Sequence, residues 1–542
     1  MTEAAYLEKN ARPVLVRQRP NFPSESNCSE HSKSSGEIRG LLARTSFLEI
    51  GSLLQRALCF LCLGFVPQLH ADVGLLLSEP TGEGTSRWTS AGHSAIYFSR
   101  ICPASPVELR LCGPGENGSV LSNYEKLGED QPYEWNLVPL NVFVYGVEDA
   151  RNRPLFASQK LREKLEERFW QRDLYRVCSG TCSDNPRAQW RNMVAAPFVR
   201  GIYLFAVKTT LEQDLSLMAR FNALPNVGHY NGFIHNCADF ARTVINTYFP
   251  GAAQPDRIND FGMTSPKAIA KSFSRYAERH PELELHVARF GQVPGNFKET
   301  GDCRKGTEVA FRSKKLLFPM MLRSHELALF AASYWLTGRF DPEHELRLRP
   351  TEKVAANDQE KAAAVSDGHR VLVRQLEQED QHERTVNFGT REEWRSYAAA
   401  VDTMTGWALE KGFISDRAAL RRLFREADAR GSIFLDDNGA AWLDLPDGDL
   451  VRHAGMSASN IAAEESDPQL AFLIMLARVD RILHCPSKNR ELLPQFKEDF
   501  ALLEQTRDRL EGTEAPAVVV ASAPGPVGTT RRGESSPQES QH

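Results

Sequence analysis

The chain has 542 residues, more than one ordinary domain holds, so two or three compact regions are expected. Hydrophobic residues make up 42% and charged residues 25%, which excludes collagen-like, wholly disordered and membrane-bundle classes. Lys and Arg number 65 against 70 Asp and Glu, a net charge of −5; with no basic excess to displace phosphate counterions, nucleic acid is not an expected partner.

From the N-terminus, the first unusual stretch is apolar, Ala57 to Val66. As a helix it spans about 15 Å, roughly half a bilayer core, so it is too short to cross a membrane. Arg39, Arg44 and Arg56 precede it and Leu69-His70-Ala71 follows. A charged region, a short apolar core and a small residue read as a secretory signal cleaved near Ala71; a buried core helix is the alternative. Cys62 lacks the small residues of a lipobox, and no stable transmembrane anchor is expected. Residues 1–71 are set aside as a disordered N-terminus plus signal peptide, and the mature protein is expected in the periplasm or cell envelope. Seven cysteines then remain: Cys102, Cys112, Cys178, Cys182, Cys237, Cys303 and Cys485. An oxidising compartment allows Cys102 to bridge to Cys112 and Cys178 to Cys182. The odd number leaves at least one thiol free or paired between chains, a candidate reactive group.

Val73–Leu77 reads as a short buried strand. Ser94–Phe98 and Val107–Leu111 read as strands joined by the turn Pro103-Ala-Ser-Pro106. Asn141–Tyr145 and Gly201–Val207 are further expected strands. Between them Leu161, Leu165 and Phe169 recur on an amphipathic helix. Thr210 with Gln213 forms a capping box for a helix whose expected apolar stripe is Leu211, Leu215, Met218 and Phe221. Strands that run as a group favour an α+β fold with an antiparallel sheet. Residues 262–345 are expected to be mainly helical, with a strand at Leu283–Val287, which makes 72–345 one α+β domain with a helical extension. Residues 346–390 read as a charged linker or exposed helix. Residues 391–512 read as a helix-rich domain with a small hairpin at Asn438-Gly439, and 513–542 as a disordered tail.

Two motifs carry chemistry. The first is Ser90-Ala-Gly-His93-Ser-Ala-Ile-Tyr-Phe98, with a His opening a strand after a glycine. The second is Tyr230-Asn-Gly-Phe-Ile-His-Asn236-Cys237-Ala-Asp239-Phe240, running on to Pro250-Gly251. Asn236 occupies an N-cap position and Asp239 the third helical position. Cys237 therefore falls in the first turn of a helix, where unpaired amides and the positive dipole end are expected to lower its pKa. A nucleophilic Cys needs an imidazole to take its proton, and His93 on a strand is the candidate. The amide of Cys237 is a candidate oxyanion donor. An inert core cysteine shows the same spacing, since Cys237 is also in phase with the apolar stripe.

Gly-His-Ser-Ala-Ile-Tyr early and Asn-Cys-Ala-Asp-Phe late resemble the circularly permuted papain-like group. That group includes permuted relatives of the NlpC-type cell-wall peptidases, the lecithin retinol acyltransferase type, and bacterial exported domains of unknown function. The resemblance covers about residues 72–250. It implies a papain-like antiparallel sheet with a Cys-bearing helix, Cys237 as nucleophile and His93 as base, followed here by a mainly helical C-terminal region. The third polar residue that orients the base is open. Glu108 and Glu116 are the carboxylates at hand. A turn centred on Ala104-Ser105 pairs Glu108 with Ile101. It puts Glu116 opposite His93, but beyond Gly113-Pro-Gly115, where the strand should have ended.

The expected function is that of an exported cysteine hydrolase or acyltransferase acting on an amide or an ester, cell-wall peptide being one target the resemblance implies. The alternative is a non-catalytic envelope scaffold or binding protein on the same frame. Other sites fall away. His235 reads as an exposed loop residue. His325-Glu326 lacks the second His of a zinc helix. Asp436-Asp437-Asn438 reads as a turn, not a calcium loop. Gly82 and Gly84 do not follow a nucleotide-binding strand. No metal or cofactor is expected.

Overall fold

The computed structural model describes residues 71–81, 92–123, 133–178, 192–228, 230–231, 235–257, 259–260, 262–305, 308, 324, 332, 334, 339–349, 391–484 and 493–512. The apolar leader, Gly82, Gly84, Cys182, His325-Glu326, Cys485, residues 350–390 and the tail from 513 lie outside them.

Strands β1 (Ala71–Ser78), β2 (His93–Phe98), β3 (Ile101–Ser105), β4 (Glu108–Leu111), β5 (Ser119–Ser122), β6 (Asn136–Pro139), β7 (Ile202–Thr209) and β8 (His286–Phe290) form the first part of the chain. Six of them make one antiparallel sheet in the order β6-β5-β2-β1-β7-β8. β1 begins at Ala71, the residue near which the leader was expected to end. Alternation along β1 explains its unbroken apolar run. Val73, Leu75 and Leu77 point to one face and Leu76 to the other, and both faces are buried.

The strand pairing departs from the hairpin expected between Ser94–Phe98 and Val107–Leu111. β2 lies between β1 and β5. β4 pairs instead with β3 in a separate two-stranded hairpin, with Ser105 opposite Glu108. The chain bends at Ser99-Arg100, one strand earlier than the proline turn suggested. Cys102 and Cys112 are disulfide-bonded across this hairpin. The strand expected at Leu283–Val287 also moves: Pro281–Leu283 is a 3-10 turn, and β8 starts at His286.

Helix α1 (Leu140–Tyr145) replaces the strand expected at Asn141–Tyr145. Its Val and Phe residues favour strands, but Pro139 occupies the N-cap position and Gly146 ends the helix at φ +79°. Leu140, Val142, Phe143 and Val144 are all buried there, so tertiary packing overrides propensity. Helix α2 (Gln159–Phe169) starts on Ser158 and buries Leu161, Leu165 and Phe169. Helix α3 (Leu211–Ala223) has the Thr210–Gln213 capping box. Its buried face is rotated from the expected stripe. Leu211 and Leu215 are exposed, whereas Asp214 and Leu217 are buried. Asp214 is drawn inward by the Tyr248 hydroxyl at 2.9 Å and by Arg100 at 3.6 Å.

Helices α4 (Cys237–Tyr248) and α5 (Pro266–Arg279) cover the sheet face that carries Leu75, Ile96, Phe98 and Phe205. α6 is Pro342–Leu348. The C-terminal part contains α7 (Arg391–Glu410), α8 (Arg417–Arg430), a sheet of β9 (Ser432–Leu435), β10 (Ala441–Asp447) and β11 (Leu450–Gly455), then α9 (Pro468–His484) and α10 (Leu493–Gly512). The turn at Asn438-Gly439 joins β9 to β10. Asp436 accepts the Asn438 and Ala440 amides in that turn. β11, announced by Pro446-Asp-Gly-Asp449, extends the expected hairpin to three strands.

This C-terminal part does not hold a core of its own. Phe424, Leu443, Phe472 and Ile474 belong to one apolar cluster with Leu76, Tyr97, Val120 and Leu204 on the second face of the large sheet. Phe156 stacks on Phe424 at 4.4 Å. No helix among the described residues is long and apolar enough to cross a membrane.

Candidate active site

The site forms at the end of the sheet where β2 starts. Gly92 precedes it at φ +76°, and a Cβ there would fall 2.2 Å from the Ser78 carbonyl oxygen. Only glycine allows this approach. It brings His93 into register opposite Ser78.

Helix α4 points its N-terminus at the same region. Asn236 accepts from the amides of Ala238 at 2.8 Å and Asp239 at 3.1 Å, and Asp239 accepts from the Asn236 amide at 3.4 Å. Asn236 also donates to the Thr264 carbonyl at 2.9 Å, and the Thr264 hydroxyl donates to Asp239 at 2.6 Å. The cap, ordinarily worth about 1 kcal/mol, is thus tied to the segment leading into α5. It fixes Cys237 at the first helical position, 5% exposed and with a free thiol.

Cys237 and His93 reach this region through different neighbours. The Ser94 amide and the Ser94 and Tyr230 hydroxyls lie against the Cys237 sulfur. His93 Nε2 is 2.8 Å from Ser122 Oγ on β5. Side chains alternate along a strand, so His93 and Ser94 leave β2 on opposite faces. Arg200, just ahead of β7, acts electrostatically on both Cys237 and His93.

The thiol does not have the depressed pKa that a helix N-terminus alone suggests. Burial pushes the Cys237 thiol up, opposed by Ser94, Tyr230 and the positive charge of Arg200. Withdrawal from water outweighs the favourable contacts of the thiolate. His93 is held well below its usual range, first by burial and then by Arg200. At rest the thiol and the imidazole are therefore both neutral, not a thiolate and an imidazolium, and they lie toward opposite faces of β2.

The His93 shift has a thermodynamic consequence. An unfolded His binds a proton below about pH 6.5, while the folded imidazole does not. The stability that His93 contributes is full above that pH and is lost progressively as pH falls below it. Urea unfolding between pH 7.5 and 5 is expected to show this loss. His93→Asn should flatten the decline, and an equally steep decline in that variant would contradict the assignment.

Neither carboxylate considered as orienter of the base stands beside His93. Glu108 is exposed on β4. Glu116 is held by Arg110 at 2.6 Å and by the Gly113 amide. A hydrogen-bond partner of His93 is Ser122, and this pairing depends on a contact between β2 and β5 that local hairpin arithmetic misses. His235 is exposed and makes a backbone bridge to Asn231. Among the described residues a second free thiol, Cys303, is also buried and donates to the Ser78 carbonyl at 3.1 Å.

Ser94 and Tyr230 lie inside the two motifs and were legible as neighbours of the pair. Arg200 had its own signal: it is the single charged residue between Met193 and Val207. A search of protein-family models, curated proteins and solved structures finds no match to this chain.

Proposed function

We propose that the protein is an exported thiol hydrolase or acyltransferase of the permuted papain-like type, with Cys237 as nucleophile and His93 as general base. The observation that carries this reading is the free Cys237 thiol at a capped helix N-terminus, with the Ser94 amide and the Tyr230 hydroxyl on the sulfur. Such donors stabilise a sulfur that gains negative charge only during reaction. In the proposed step the Cys237 S–H bond breaks, its proton passes to neutral His93 and the sulfur bonds to the acyl carbon. The amine or alcohol leaves with a proton, and water or another acceptor then takes the acyl group from the thioester. Amide and ester substrates, including cell-wall peptide, both satisfy this scheme. His93 and Ser94 leave β2 on opposite faces and Ser94 is the one against the thiol, so the proton transfer requires His93 to leave Ser122 and move round the start of β2 to the sulfur.

The second reading, a non-catalytic envelope scaffold, is favoured by one observation: burial raises the Cys237 thiol instead of activating it. The two are separated with p-nitrophenyl acetate, an activated ester that needs no specific recognition. The enzyme reading expects an acetyl adduct on Cys237 by peptide mass spectrometry, turnover lost in Cys237→Ala, and about a 100-fold lower rate in His93→Asn. Equal turnover in Cys237→Ala, or no adduct on Cys237, would leave the scaffold.

A further inference from the structure

Seven Lys and Arg residues are buried among the described residues. Six have a carboxylate within salt-bridge distance. Arg153 and Arg478 share Asp499, Lys271 and Lys305 share Asp256, Lys267 has Glu308, and Arg289 has Glu79. Arg200 is the exception. It is 5% exposed, its Nε has no hydrogen-bond partner, and no described carboxylate is paired with it. An uncompensated buried guanidinium is costly, and its planar fork is built to hold a carboxylate.

Its place in the fold points to the Cys237 site. The next residue, Gly201, is fixed by its amide to Glu79 and Thr300, both at 3.2 Å. Ile202 then pairs with Ser78, and Ser78 pairs with His93. Arg200 thus stands at the end of the rung that begins β2, and its charge is felt at both His93 and Cys237. Two more buried polar atoms in this region lack a hydrogen bond of ordinary geometry: Ser94 Oγ, which lies against the thiol, and Asn123 Oδ1. Continuing the β2–β5 register beyond Ile96 and Leu121 sets Asn123 opposite Ser94.

We propose that Arg200 binds a carboxylate of the substrate at this end of the sheet, so that the acyl compound presented to Cys237 carries a free carboxylate near the reacting carbonyl. This rests on the thiol-enzyme reading above. Glu79 neutralises Arg289, which among the described residues leaves the charge of Arg200 to be matched. A monoanionic carboxylate does this, whereas a phosphate dianion would bring surplus negative charge into a buried site.

The test is thermal unfolding of the full chain at pH 8 as sodium chloride is replaced by sodium acetate at fixed ionic strength, with inorganic phosphate as a second arm. Acetate is expected to raise the midpoint of the wild type in a saturable way. Cys237→Ser, which lacks the nucleophile, should respond equally, so anion binding is tested even if acyl transfer fails. Arg200→Met should lose the response and, without anion, unfold at a higher temperature than the wild type, because an unpaired buried charge has been removed. Arg200→Lys, which keeps the charge without the fork, should need several-fold more acetate, and it carries the test if Arg200→Met does not fold. An unchanged response in either Arg200 variant, no response in the wild type, or tighter binding of phosphate than acetate would overturn the proposal.

Discussion

Replacing Asp499 by Ala is expected to cost about 3–5 kcal/mol of folding stability, a large share of the total for a natural protein. Asp499 is fully buried and accepts from Arg478 Nε at 2.7 Å and from Arg153 at 3.3 Å. Arg153 keeps Glu498 at 2.9 Å, and that carboxylate is half-exposed. Among the described residues Arg478 keeps only a neutral acceptor, the Leu155 carbonyl at 2.6 Å. The variant therefore leaves a guanidinium buried with no counter-charge between α9 and the segment around Leu155. Asp499→Asn retains one acceptor and is expected to lose less. Urea denaturation monitored by tryptophan fluorescence measures both. A loss below about 1 kcal/mol in Asp499→Ala would mean that water reaches Arg478 and that the ion pair does not join the two halves.

Glu79→Ala is the second large expected effect, again about 3–5 kcal/mol. Glu79 accepts from Arg289 at 2.9 Å, from the Thr300 hydroxyl at 2.5 Å and from the Gly201 amide at 3.2 Å. Glu79 and Arg289 side chains are each 3% exposed. The variant removes the counter-charge of Arg289 and leaves the Gly201 amide without this acceptor, beside Arg200. A crevice lined by Glu79, Arg289, Gln292, Thr300 and Arg481 approaches this group from solvent. Water entering there would bring the loss toward the lower end of the range. Glu79→Gln keeps an acceptor for Gly201 and Thr300 and should recover part of the stability. Chemical denaturation of the three proteins gives the comparison, and equal stability of Glu79→Ala and wild type would refute the role given to Glu79.

What could be read from the sequence was mostly local. The Asn236–Asp239 and Thr210–Gln213 caps each depend on residues three apart, and both are present as read. The Asn438-Gly439 turn is local in the same way. What could not be read depends on distant pairing. Ser122 becomes the partner of His93 only once β5 lies beside β2. Asn141–Tyr145 has the composition of a strand, but its surroundings bury it as a helix. The Cys237 thiol shows the limit most clearly. A cap and a helix end can be seen in a few residues, whereas the burial that outweighs them comes with the packing of α4 against β2. Arg200 lies between these cases. A lone charge in an apolar run is visible, but only the fold shows that no carboxylate among the described residues comes to meet it.

The apolar cluster that joins the C-terminal helices to the sheet limits how the chain can be divided. Leu76, Tyr97, Val120 and Leu204 have Phe472, Ile474 and Leu476 as fellow members of one core. A chain truncated before residue 391 would strip members from that shared core, leaving Phe156 without the Phe424 ring it stacks on, so residues 71–349 are not expected to keep their stability alone. The C-terminal helices thus share a core with the part of the chain that carries the site, although none of their residues has a place in the proposed chemistry.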